Sequence, residues 1–341
     1  TTQEVTLVAY TAYARRRRQE VRAVLPPLFE KSADYYATLA SGAPGEFTTE
    51  GDASRRAIVS DALPMLAELY PEKPFADWME ASLPRAGEFS YFQHSVGTGL
   101  YAFLIGPERV TPRRAPVDGR RLLPHSGLAC DQRTHAGRTL RLQVIGCKAR
   151  PSHSHRDKGA FVAELDGQQL FIDRGIIRYE DSRHHLLKRS EMHNVLTPLL
   201  PGDVSPDQAP PEVAVIPEVS GDDGSFFSRL DLGNVWREHM SACVREIDSP
   251  RADEWIVHDI GRLRTRGSVV FHLHALHPFI EERGRLFAGP AAGHVEIVAP
   301  WAVRRLHSIN LIDSAYRPVH HLRLISAPIA EFALHTQFIV A

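Results

Sequence analysis

The chain changes its hydrophobic period once, and that single change limits what it can fold into. From Leu7 to Leu83 apolar residues recur at helical spacing, whereas beyond Pro124 they alternate as in strands. Residues 107–124, rich in Pro and Arg and without a clear period, read as a linker. Helices first and strands afterwards predict an α+β multidomain protein with segregated parts. The boundary is expected near residue 115, giving a helical domain over 1–115 and a β domain over 116–341.

The helical runs can be followed individually. Leu7, Val8, Val21, Val24, Leu25 and Leu28 are interleaved with Ala and Arg, and Pro26-Pro27 punctuates them. A second run from Phe29 to Leu39 stops at Ser41-Gly42. Gly51-Asp52 offers an N-cap for Ile58, Ala62, Leu66 and Leu69, a run that Pro64 is expected to kink. Pro74, Phe75, Trp78, Met79 and Leu83 predict one more helix. Short Pro/Gly turns between such helices predict antiparallel hairpins.

The β half is clearest at residues 161–173, where two apolar runs flank Asp166-Gly167, the preferred pair for a two-residue type I′ turn. That turn predicts pairing of 165 with 168, 163 with 170 and 160 with 173. Further strands are expected over 141–147, 213–216, 268–276, 294–298 and 321–325, and 201–217 as an exposed loop. Strands at irregular spacing with polar turns predict a sandwich of antiparallel sheets.

Composition excludes several classes. The 341 residues carry a formal net charge of −1, so no bulk electrostatic drive toward nucleic acid is indicated. Basic residues cluster at Arg15-Arg16-Arg17-Arg18, at Arg113-Arg114 and at Arg120-Arg121. Cys130, Cys147 and Cys243 cannot form a disulfide scaffold, do not have zinc-knuckle spacing, and are expected to be buried thiols. No segment approaches the roughly 20 apolar residues of a membrane span, and no signal peptide is recognisable. The chain opens at Thr1 inside an amphipathic stretch, which suggests a piece of a longer polypeptide or a processed product. Localisation is therefore not read from its ends.

The chemistry gathers around His153-Ser154-His155, just before the hairpin, Asp173 at its far end, and His193-Asn194 further on. Imidazole, carboxylate and imidazole form a ligand set suited to a divalent metal. In an extended segment His153 and His155 project from the same side, about 7 Å apart, which suits one as ligand and the other as a neighbouring base. For His155 to approach Asp173, residues 156–159 must fold back, and Gly159 permits that. Other clusters are His184-His185, His272-Leu273-His274, His277 and His320-His321; alternation puts His272 and His274 on one face of a sheet. A cupin also opens its metal motif with His-x-His, but it needs a Glu within about four residues, and the next here is Glu164.

The stretch from His153 to Asn194 resembles the C-terminal domain of the heparinase II/III family of polysaccharide lyases. His153-Ser154-His155-Arg156-Asp157 with Phe161 matches a His-x-His-x-Asp segment followed by Phe. Phe171-Ile172-Asp173-Arg174-Gly175 matches the end of the family's hairpin, Tyr179 a following Tyr, and His193-Asn194 a His-Asn pair. Ser126-Gly127-Leu128-Ala129 resembles the entry into its first sheet. The resemblance implies a partial α/α toroid of helical hairpins followed by an antiparallel β-sandwich. It implies a divalent metal, most often zinc, held by His155, Asp173 and His193, and His153 as the catalytic His. It also implies a catalytic Tyr on the toroid, for which Tyr10 is the choice and Tyr13 the fallback. The family's Asn for the substrate carboxylate has no counterpart after Thr1. The alternatives are truncation, a second chain that completes the cleft, or lost activity. Periplasmic or secreted bacterial localisation is a further implication.

Such residues suit β-elimination from a uronate. The C5 proton is weakly acidic, so its removal needs a neutralised carboxylate and a base within hydrogen-bond reach. Neutral His153 is the expected base and Tyr10 the expected donor to the leaving C4 oxygen. Arg17 or Arg18, past Tyr10 on the same helix, and Arg156 are the expected contacts to an acidic polysaccharide, with Arg113, Arg114, Lys158, Arg178 and Arg183 as further candidates. The competing reading is a non-catalytic acidic-glycan-binding protein with a metal-pinned sandwich.

Overall fold

The computed structural model describes residues 2–42, 46–48, 62–82, 118–149, 153–290 and 294–341. The Gly51-Asp52 cap, Ile58, Leu83, Arg113-Arg114 and most of the expected linker lie outside the described residues. The chain divides into two compact units, Thr1–Phe47 with Arg56–Val117 and Thr48–Arg55 with Asp118–Ala341.

The first unit is built of α1 (Thr2–Arg17), α2 (Val21–Val24), α3 (Leu28–Leu39), α4 (Ala62–Leu69) and α5 (Pro74–Ser82). Pro64 lies in α4, and the upstream part of the expected run, from Gly51-Asp52 to Ile58, lies outside the described residues. Pro74 opens α5, the position its fixed φ suits best. Leu7, Phe29, Leu66, Phe75, Trp78 and Met79 form the core. Phe47 stacks on Trp78 at 4.8 Å, and the Trp78 indole N–H donates to the Ser41 carbonyl at 2.9 Å. The hydroxyls of Thr11, Ser32 and Thr38 donate to carbonyls four residues back, so burying them leaves no polar group stranded.

The second unit holds two antiparallel sheets. The smaller is a meander of β1 (Gly119–Leu123), β2 (Leu128–His135), β3 (Arg138–Ile145), β4 (Phe161–Leu165) and β5 (Gln168–Phe171), hydrogen-bonded in that order. The end of the expected linker is thus strand β1. Asp166 and Gly167 have φ of 52° and 75°, the two left-handed residues a type I′ turn requires. Leu165 pairs with Gln168 as expected, but a bulge then sets Ala163 opposite Phe171 rather than residue 170. Beyond the bulge the chain leaves β4 altogether, and the Ile172 N–H donates instead to the His274 carbonyl of the other sheet.

The larger sheet comprises β6 (Leu196–Leu199), β7 (Glu218–Ser220), β8 (Phe226–Asp231), β9 (Met240–Arg251), β10 (Glu254–Ala275), β11 (Ile280–Glu282), β12 (Arg285–Ala288), β13 (Val295–Val298), β14 (Ala302–Ile312), β15 (Pro318–Ser326) and β16 (Ile329–Val340). Its spine is β10, 22 residues long, which pairs with β9 and β16 along its first half and with β6 and β15 along its second. The two sheets share one core. Leu142, Phe161 and Phe171 meet Phe226, Trp255 and Phe338, with Trp255 and Phe338 stacked at 4.9 Å. Each such side chain contributes roughly 1.5–3 kcal/mol by leaving water. The three cysteines are buried and unpaired with one another. Residues 201–217 are only partly exposed: Ser205, Gln208, Ala209 and Val215 are buried, because Val215 bridges to Cys147 and Gln208 braces the loop described below. No helix among the described residues is long and apolar enough to cross a membrane.

Candidate metal centre

The candidate ligands hang from the points where the strands leave the small sheet. His155 lies in the segment entering β4. There the Ala160 N–H donates to the Asp157 carbonyl at 2.9 Å and Gly159 takes a φ of 84°, so the chain folds back as the spacing to Asp173 requires. Asp173 follows β5, and His193 follows the 3-10 turn Ser190–Met192. One ligand atom from each of His155, Asp173 and His193 lies within 4.8 Å of the other two, and all three residues are buried.

The hydrogen bonds show what this group can hold. Asp173 Oδ1 accepts from the Gly175 N–H at 2.8 Å, while Oδ2 is 2.6 Å from His193 Nδ1. His193 Nε2 is buried and has no hydrogen-bond partner among the described residues. The His155 and His193 rings lie 5.2 Å apart. A buried nitrogen without a donor opposite it is costly unless something electrophilic takes the lone pair. Two imidazoles and a carboxylate are the donor set of a divalent transition metal, so the residues fit a metal ion.

Around the ligands stands a frame of buried charge. Arg245 of β9 is fully buried and pairs with its cross-strand neighbour Asp259 of β10 through contacts of 2.7 and 2.8 Å. Its remaining donor, Nη1, reaches two carbonyls at 2.8 Å, Gly159 in the His155 loop and Asn194 beside His193. Asn194 donates to the carbonyls of Phe161 and Ile172 and accepts from the His274 N–H, bridging β4, the exit of β5, and β10. Lys158 is buried rather than presented to a ligand: its ammonium pairs with Asp157 and bonds Ser154 Oγ at 2.7 Å, while its backbone is clamped from both sides by the Gln208 amide. Burial pushes the Asp157 carboxyl up, but Lys158, His193 and His155 together outweigh it and bring it down to about 2.

A second layer backs Asp173. Burial lowers the Arg174 guanidinium to about 10, and Nη2 lies 2.8 Å from His274 Nδ1. Because arginine only donates, that nitrogen accepts, and the His274 Nε2–H faces the Glu191 carbonyl at 3.1 Å. His272 Nδ1 and His321 Nε2 are 3.0 Å apart, and burial depresses both imidazoles, His272 to about 3. These histidines are a neutral buried network, which answers what the His272-Leu273-His274 cluster does.

His153 stands apart from the ligands. It is exposed and held at φ 54°, a left-handed conformation costing a non-glycine residue roughly 1–2 kcal/mol. Its Nδ1 lies 3.2 Å from Tyr179 Oη. Tyr179 is exposed, with the Lys188 ammonium 5.5 Å from its ring centroid and His184 edge-on at 5.6 Å. Arg156 is half-buried, and its N–H donates to the Lys188 carbonyl at 2.9 Å. Arg178 is exposed, and the Arg183 guanidinium is engaged by Asp181. Tyr10, Tyr13, Arg17 and Arg18 belong to the helical unit. Tyr10 is half-buried, edge-on to Phe29 at 6.4 Å, while Tyr13, Arg17 and Arg18 are exposed on α1 and at its end.

Sequence reasoning missed Arg245, Asp259 and Gln208. The first two left a signal. Cys243, Arg245 and Ile247 share one face of β9, and Val257 and Asp259 share the facing positions of β10, so opposite charges interrupt two apolar alternations at matching places.

The β unit thus buries two imidazoles and a carboxylate that could hold a metal ion. Residues 116–327 match the family described as heparinase II/III-like, C-terminal, and the chain belongs to that family. No curated protein matches the chain. Among solved structures it is similar to heparinase III, at 13% identity and a TM-score of 0.65, covering 92% of this chain and 48% of that one. It is also similar to the heparan sulfate lyase HepC from Pedobacter heparinus, at 10% identity and a TM-score of 0.67, covering 99% and 51%. At such identities the likeness shows the fold, and the chain spans about half the length of each.

Proposed function

We propose that this protein is a polysaccharide lyase that cleaves an acidic, uronate-containing polysaccharide by β-elimination. The observation carrying the proposal is the exposed imidazole of His153 two residues from the buried group His155, Asp173 and His193. In this reading His153 removes the C5 proton of the uronate. The electron pair left behind forms the C4–C5 double bond, the C4–oxygen bond breaks, and a phenol protonates the departing oxygen. Tyr10 is the proposed donor. Arg17, Arg18 and Arg156 are proposed to hold acidic groups of the polymer, Arg156 from the same loop as His153.

The metal proposed at His155, Asp173 and His193 is zinc, and it would supply a structural cross-link between the loop before β4 and the chain after β5. Asn194 ties the start of β4 to the chain after β5, and Arg245 ties the loop before β4 to Asn194, so the loop bearing His153 is held by hydrogen bonds as well. The helices α1 to α5 are proposed as part of an α/α toroid, with domains over 1–115 and 116–341. Bacterial periplasmic or secreted localisation belongs to the same proposal.

The test is incubation of the protein with heparan sulfate, hyaluronan, chondroitin, alginate and gellan, following the ultraviolet absorbance of the 4,5-unsaturated uronate. A rise on at least one polymer that His153→Ala abolishes supports the reading. Saturable binding with no rise on any polymer assigns glycan binding instead.

A further inference from the structure

We propose that His307 and His320, with His277 beside them, form a second metal site at the edge of the large sheet, suited to a divalent transition cation that prefers nitrogen ligands. It shares no residue with the group His155, Asp173 and His193. His307 lies on β14 and His320 on β15, strands that pair antiparallel with His307 opposite Leu322 and Ile309 opposite His320. The two histidines are therefore diagonal neighbours on one face, a spacing that ring-bearing side chains can bridge. Their rings stack with centroids 5.3 Å apart, and His307 Nε2 lies 3.2 Å from His320 Nδ1. That face is the inner one, because Leu322 and Leu324, which share it, belong to the core. The core residue Phe279 stands edge-on to His307 at 5.7 Å, and His320 is half-buried, so both rings are backed from inside. Among the described residues β14 pairs with β15 alone, and His307 is exposed.

The separation of the two nitrogens is the informative quantity. Two nitrogens bound to one ion at about 2.0–2.1 Å lie roughly 2.9–3.4 Å apart across square-planar to tetrahedral angles. The 3.2 Å found falls inside that window, so a cation can replace the shared hydrogen without a shift of either strand. Between neutral rings one nitrogen donates and the other accepts. When an ion takes both lone pairs, the donating ring carries its N–H on its other nitrogen, and no proton is gained or lost. Among the described residues neither ring has a hydrogen bond to a carboxylate or carbonyl that would have to break first. A third imidazole, His277, lies two residues past Ala275, the cross-strand partner of His320. Burial, His307 and His277 lower the His320 imidazole below its ordinary value, which keeps its lone pair available at neutral pH. Arg305, on the same face of β14, is paired with Glu281 at 2.9 Å, so its charge is countered. Imidazole pairs of this kind suit copper, nickel and zinc, and an ion held by them would cross-link the edge strand to its neighbour.

The test adds copper(II) to the full chain and reads nitrogen ligation by electron paramagnetic resonance and affinity by calorimetric titration. One equivalent held by imidazole nitrogens is expected, and it persists in Asp173→Asn. In His307→Gln and in His320→Gln it weakens by about 10²-fold or more, because a chelating pair binds far more tightly than either member alone. His277→Gln loses less. The melting temperature without copper stays unchanged in His307→Gln, an exposed position. Should Asp173→Asn or His320→Gln fail to fold, His307→Gln decides alone. Copper binding in His307→Gln equal to that of the parent overturns the proposal. So does loss of the equivalent in Asp173→Asn, which assigns it to the buried group, or in His335→Gln, which assigns it to the pair His258 and His335, whose rings stand edge-on at 4.4 Å.

Discussion

The helical unit and the β unit bury different things. Among the described residues of the helical unit the buried polar residues are Thr11, Ser32, Thr38 and Ser41, all hydroxyl-bearing, the first three bonding within their own helix turn, and a carboxylate oxygen of Glu46 is buried as well. The β unit buries Arg174, Arg245, Asp157, Lys158 and Asp259 along with five histidines; Asp157 and Lys158 pair as neighbours, but Arg174, Arg245 and His272 also reach partners far along the chain. A buried ion pair seldom adds net stability over a well-packed apolar pair. What it does is specify geometry, since each charge accepts few arrangements. The helical core is thus defined by shape, and the β core near residues 153–194 by hydrogen-bond direction. That is the kind of interior a protein needs where loops must hold ligands to fractions of an ångström.

The contrast can be broken or sharpened by substitution. The largest effect is expected for Arg245→Met, which leaves Asp259 buried and alone and releases the Gly159 and Asn194 carbonyls. Denaturant unfolding should show a loss of about 3–5 kcal/mol, and, if the proposed metal is bound, metal analysis should show less of it. Trp78→Ala in the helical unit is expected to cost a comparable 3–5 kcal/mol by opening a cavity while leaving metal content unchanged. Equal loss of metal in both variants would erase the distinction between the units. Next comes His153→Ala, for which turnover is expected to fall about 10²–10⁴-fold with no change in melting temperature, since an exposed side chain supports little of the fold.

Acid should reveal the buried imidazoles. His272 is depressed to about 3 by burial and by Arg323, and His321 is depressed by burial, His272, Arg174, Arg323 and His307. Below the ordinary imidazole range the unfolded chain binds protons that the folded state refuses, so stability falls as pH falls. The slope is expected to reach about 1.4 kcal/mol per pH unit for each such histidine between roughly pH 6.5 and the folded value. Melting temperatures from pH 7 down to pH 4 should fall accordingly, and His272→Asn should flatten the curve. Thr38→Val is expected to shift helical-unit stability by no more than about 1 kcal/mol, because the carbonyl it releases keeps its helix bond.

Much of the β unit's small sheet was legible because its information is local. Asp166-Gly167 specifies its own turn, and the flanking alternation specifies two strands. The grouping of His155, Asp173 and His193 was legible through residue type and order, although the bulge that sets Ala163 opposite Phe171 was not, since nothing at residue 170 announces it. The long strands β9, β10 and β16 were largely missed because their inward positions include Arg245, Asp259 and Thr336, which interrupt the apolar alternation. Lys158 and Gln208 read as surface residues by type. Only the meeting of two loops fifty residues apart makes them interior.

Asn194 carries a vulnerability of its own. Its amide nitrogen faces two carbonyl oxygens, and its amide oxygen faces a peptide N–H. Hydrolysis of that amide, the ordinary chemical ageing of asparagine, would alter the side chain's outline by a single atom. It would also set a negative charge against two oxygens that need a donor. An aged molecule would thus carry an unpaired charge in its interior beside His193, through damage that changes its mass by only about one dalton.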